Sequence, residues 1–113
     1  MIQTVTAIFA GGLILVGILG FIIPPAKAMT SGAPAYNIFH LCFGALGGAL
    51  ALWGNDDSLR AFLIGFGAID LYQAVASRLN WFPKAHFKWR PADDVLHVVV
   101  GIALVAFGVF GSA

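Results

Sequence analysis

Charge is what this sequence has least of. Lys and Arg number 6 and Asp and Glu 5 in 113 residues, 10% in all, where a soluble domain carries about 25%. None of them precedes Lys27. So few charges cannot cover the surface of a water-soluble domain of this length. With 60% hydrophobic residues and a mean hydropathy of +0.93, the apolar surface is expected to face lipid. The net charge of +1 points to no acidic partner, and no basic face for nucleic acid is visible. The single cysteine, Cys42, excludes an intramolecular disulfide and reads as a small buried hydrophobe within an apolar run. There is no Ser-His-Asp ordering, no His-Glu-x-x-His and no phosphate-binding loop, so no catalytic residue or metal site is assigned and the chain is not expected to be an enzyme.

What the sequence does have is four apolar runs, each near the roughly 20 residues needed to cross a bilayer as a helix. They cover about 5–23, 36–53, 59–78 and 93–111, within one domain. Pro24-Pro25 ends the first, because proline has no N–H to donate and clashes with the preceding turn. Ala26-Lys27-Ala28 has the form of a signal-peptide cleavage site, but Met1-Ile2-Gln3-Thr4 carries no positive charge, so this run is read as a retained span. Thr6, Ala10, Gly17 and Gly20 give it a small-residue face, which permits close helix approach in lipid. The second run contains Gly44-x-x-x-Gly48, in register with His40, a pattern that favours close crossing. Asp57 or Ser58 is expected to cap the third run, and Asp93 and Asp94 the fourth.

The third run carries Asp70, the only carboxylate deep in a span, on one face with Phe66, Gln73 and Ser77. A charge in the bilayer core costs several kcal/mol and is expected to face protein or water. The connection 79–91 interleaves Trp81, Phe82, Phe87 and Trp89 with Lys84, Lys88 and Arg90, a mixture suited to the headgroup layer. His86 in that connection reads as a solvated or lipid-facing side chain. Five of the six basic residues lie near Lys27 or between Arg78 and Arg90. The positive-inside rule therefore puts both of those loops in the cytoplasm and both termini outside.

Two short stretches stand out. Asn37-Ile38-Phe39-His40 and Asp94-Val95-Leu96-His97 each set a polar residue three positions before a histidine, with Gly44 or Gly101 four positions after it. Both sit at the cytoplasmic ends of spans that run the same way. Sliding the chain by 57 residues, the spacing from His40 to His97, superposes them and aligns Gly54 with Gly111. The first and third runs match less well. The expected architecture is all-α: an integral membrane four-helix bundle of two helical hairpins in parallel repeat, related about the membrane normal. On the Asn-x-x-His and Asp-x-x-His entries and the four-span layout, the chain resembles a family of small four-helix bacterial integral membrane proteins of unknown function. The resemblance covers nearly the whole chain and implies the bacterial cell membrane, but no activity.

Asn37, His40, Asp70, Gln73, Asp94 and His97 can therefore form a polar cluster inside the bundle. The plainest role for it is interhelical hydrogen bonding, with Asn37 and Asp94 as N-caps. Alternatively, His40 and His97 could ligate haem b from two sides, or one of them the magnesium of a chlorophyll. A proton or ion relay through Asp70 is a third possibility. The expected function is that of a non-catalytic structural or accessory membrane protein. It would pack with itself or with other membrane subunits through its small-residue faces, Gly44, Gly48 and Gly101 among them.

Overall fold

A computed structural model describes residues 1–112. Four long helices dominate: α1 (Ile2–Ile22), α2 (Pro34–Trp53), α3 (Asp56–Leu79) and α5 (Pro91–Phe110). All four are long and apolar enough to cross a membrane. A single 3₁₀ turn at Pro25–Lys27 and the short α4 (Lys84–Phe87) lie in the connections, and no strand occurs among the described residues.

Each of the four long helices begins two or three residues before its expected start. Pro34 and Pro91 take first-turn positions of α2 and α5, where proline's fixed φ suits the helix and its missing N–H costs nothing. Asn37 and Asp94 therefore lie inside their helices and do not cap them. For α3 the cap is Asn55, not Asp57 or Ser58. Its Oδ1 accepts from the Ser58 N–H at 2.9 Å, and its own N–H donates to Ser58 Oγ at 2.9 Å.

The bundle consists of two hairpins, α1 packed along α2 and α3 along α5, with far sparser contact between them. Glycines set the intimacy of each hairpin. A Cβ at Gly44 would lie 3.0 Å from the Ala10 carbonyl oxygen, and one at Gly101 2.9 Å from that of Gly67. Both pairs are backbone contacts that any larger residue would push apart. Gly48, expected to share in this packing, has open space where a Cβ would go. Gly47 takes its place, against Ala10 and Phe62. Cys42, expected to be buried, is exposed on the outer face of α2.

Burial follows the 57-residue spacing closely. The buried residues of α2 are Tyr36, Asn37, His40, Gly44, Gly47 and Ala51. Those of α5 are Asp93, Asp94, His97, Gly101, Leu104 and Gly108, each of them 57 positions later. The five buried residues of α1 likewise fall on buried positions of α3, although their identities differ: Leu13 corresponds to Asp70, for example. The centre is apolar, with Ile2, Leu13, Leu59, Phe62, Leu63, Phe66 and Leu104 in one cluster.

Candidate functional site

Polar side chains gather at the end of the bundle where the 24–33 and 80–90 connections meet. Those connections are tied together by backbone-directed bonds. Asp93 Oδ2 accepts from the N–H of Arg90 and from that of Ser31, both at 2.8 Å. The first bond caps α5 and the second anchors the other loop. The Ser31 hydroxyl donates to the Phe87 carbonyl, and Arg90 donates to the carbonyls of Pro25 and Ala28. Trp89, expected at the headgroup layer, is buried instead, because its indole N–H donates to Gln73 Oε1 at 3.0 Å.

Tyr36 organises the interior of this end. It stands one turn before His40 on α2, and the two rings pack with centroids 4.1 Å apart. Its hydroxyl shares a 2.6 Å hydrogen bond with Nε2 of His97 on α5 and lies 3.4 Å from Asp93 Oδ1. The two histidines are thus brought to one place with a tyrosine between them. With His97 Nε2 hydrogen-bonded to Tyr36, that nitrogen is not free to join His40 in clamping a porphyrin iron. No group of three or more His, Cys, Asp or Glu side chains suited to a metal occurs among the described residues.

The expected cluster of six divides. Asn37 and Asp94 face the partner helices of their own hairpins. Asn37 lies against Gly20 and donates to the Gly32 carbonyl at 2.9 Å. Asp94 pairs with Arg78 at 3.4 Å, on the outer face of the second hairpin. Asp70 and Gln73 are joined by a 3.3 Å hydrogen bond from the Gln73 amide to Asp70 Oδ1. Gln73 is held from the other side by Trp89. His40, His97 and Asp70 line a common space, a cleft of about 410 Å³ between α1 and α5.

The floor of this cleft is Tyr36, His40, Asp70, Asp93 and His97, and its flanks are Ile8, Gly12 and Val16 from α1 with Leu96 and Val100 from α5. It opens sideways because α1 and α5 barely touch. The corresponding space between α2 and α3 is filled. Phe39 and Phe43 stand where α5 has Leu96 and Val100, and both pack on Phe66, at 5.7 and 5.0 Å between centroids. Phe87 closes over Phe39 at 5.1 Å. The same backbone arrangement is therefore plugged on one side and open on the other, by choice of side chain. Within the floor, Nδ1 of His40 and Nδ1 of His97 are buried without a hydrogen-bond partner.

Tyr36 and the cleft-facing role of Asp93 were not anticipated. Both signals were in the sequence: Tyr36 is one turn from His40, and Asp93 lies 57 positions after Tyr36. Compared with known protein families, curated proteins and solved structures, the chain matches none.

Proposed function

We propose that this is a non-catalytic, multi-pass membrane protein that holds a membrane-soluble ligand, with its polar end on the Tyr36–His40–His97 floor and its apolar body between α1 and α5. One observation carries the reading: a cleft with a polar floor, open toward lipid at α1–α5 and filled by Phe39 and Phe43 at the matching position. Binding sites are concave and mostly apolar with a few convergent polar groups, which describes this space. A role resting only on small-residue faces free for partner subunits has less support. Gly17, Gly20, Gly44, Gly67, Gly101 and Gly108 are all used inside the hairpins.

We further place the polar floor at the cytoplasmic side of a bacterial cell membrane, with both termini outside. The support is the clustering of Lys27, Arg78, Lys84, Lys88 and Arg90 at that end and the positive-inside rule. The shared burial pattern at 57-residue spacing supports an origin as two copies of one hairpin in parallel repeat.

Gly12 provides the test. It lines the cleft, and a Cβ there meets nothing within 4 Å, so Gly12→Trp adds bulk to the cleft from a position with room beside the backbone. Wild-type protein purified in mild detergent is expected to carry a small organic molecule detectable by native mass spectrometry, and the Gly12→Trp protein to lack it. Identical adduct spectra for the two proteins would overturn the reading.

A further inference from the structure

The ionisable groups around the cleft indicate what kind of ligand suits it. Its lining includes two carboxyl groups, Asp70 and Asp93, and no lysine or arginine. Both arginines at this end of the bundle have partners outside the cleft. Arg78 is 72% exposed and pairs with Asp94 on the outer face, and Arg90 is bonded to the carbonyls of Pro25 and Ala28. The two acids are not equivalent. Asp93 is satisfied by two backbone N–H groups and the Tyr36 hydroxyl. Asp70 is only 3% exposed, and its one hydrogen bond is the 3.3 Å contact from Gln73.

Nothing in the fold requires a carboxyl group at position 70. The matching position in the first hairpin is Leu13, which is buried and lines the same cleft. A carboxyl group placed in apolar surroundings costs free energy unless it is paired, and inside a membrane such groups mark ligand or ion sites. An anionic head would meet two carboxyl groups and no lysine or arginine. The only basic side chains in the lining are the imidazoles of His40 and His97, and Nε2 of His97 is already bonded to Tyr36. A phosphate or carboxylate amphiphile is therefore a poor match. Phe9, Tyr36 and Phe66 also line the space, and aromatic rings attract organic cations through the negative face of the ring.

Resting on the ligand-binding reading above, we propose that the cleft takes a lipophilic organic cation, with Asp70 as counter-ion and the rings of Phe9, Tyr36 and Phe66 as its walls. The ligand enters sideways from the lipid between α1 and α5. Its charged head settles against Asp70, and its apolar body stays among Ile8, Val16, Leu96 and Val100.

The test uses the full chain in detergent and a matched pair of probes: a naphthylalkyl trimethylammonium ion, and the neutral isostere in which carbon replaces the nitrogen. Binding is followed by naphthyl fluorescence. The cation is expected to bind at least tenfold more tightly than the isostere. Asp70→Asn and Asp70→Leu, the latter copying Leu13, are expected to remove that preference while leaving binding of the isostere within twofold. Gly12→Trp is expected to weaken both probes at least tenfold. Equal wild-type affinity for the two probes, with Gly12→Trp still blocking both, would overturn the cation inference and leave the cleft reading standing. Absence of binding by either probe, or binding that ignores Gly12→Trp, would overturn both. The wild-type comparison of the two probes does not depend on any variant folding.

Discussion

Tyr36 on α2 and His97 on α5 are joined by a 2.6 Å hydrogen bond that crosses between the two hairpins. Both residues are buried, and the hairpins otherwise share few contacts. The bond therefore does more for the relation between hairpins than a hydrogen bond within either one. Removing the hydroxyl in Tyr36→Phe leaves His97 Nε2 without its partner, and His97 Nδ1 already has none. The expected loss is about 1–3 kcal/mol, the cost of leaving a buried polar group without its partner. Reversible unfolding in mixed micelles would measure it. His97→Phe should cost a similar amount, and the double variant less than the sum.

Gly101 and Gly48 predict opposite outcomes for the same kind of change. Gly101→Val puts a branched side chain 2.9 Å from the Gly67 carbonyl and 3.0 Å from Leu71, and overpacking of this kind costs about 1–3 kcal/mol. Gly48→Ala enters open space and replaces the residue with the greatest backbone freedom, so it should stabilise by up to about 1 kcal/mol. A melting temperature that falls for the first and holds or rises for the second is the expected pair of results.

Asp93 and Asp94 are adjacent but not equivalent. Asp93→Ala removes both bonds at Oδ2, the α5 cap and the tether to Ser31. Loss of such a cap alone costs about 0.5–2 kcal/mol, and the 24–33 connection is freed as well. Trypsin should then cut after Lys27 several times faster than in wild type. Asp94→Ala breaks only a pair with Arg78, which is 72% exposed. Asp94 is itself buried but holds nothing in the 24–33 connection, so the rate of that cut should not change.

Cys42 reports on the membrane environment directly. It lies midway along α2 on an exposed face, so in vesicles a lipid-soluble maleimide should label it and a charged thiol reagent should not. In a Cys42→Ser background, Lys88→Cys should react with the charged reagent from the cytoplasmic side only. Labelling of Lys88→Cys from the outside would reverse the proposed orientation.

Several features were legible without tertiary structure because they are carried by neighbouring residues. A run such as Leu13–Ile23 is apolar along its length, and no later folding event alters that. Pro24-Pro25 ends a helix wherever it occurs, because the missing N–H and the ring clash are local. The 57-residue spacing of the two histidine entries was also readable, and with it the expectation that α2 and α5 would present like faces. Burial of Tyr36 with Asp93, and of His40 with His97, follows that spacing.

Facing was a different matter. One residue along a helix turns the side chain by about 100°, so pattern alone could not separate Gly47, which packs, from Gly48, which does not. Nor could it place Cys42 on the outside, or send Asn37 and Asp94 away from the histidines they precede. The cleft least of all could be read from the sequence. It exists because α1 and α5 stand apart while Phe39, Phe43 and Phe87 fill the equivalent space beside α2. Composition determined that four helices would form and would suit lipid. Which residues meet between those helices, and where a space is left, was decided by the rotation and packing of the hairpins, since those contacts join residues far apart in the chain.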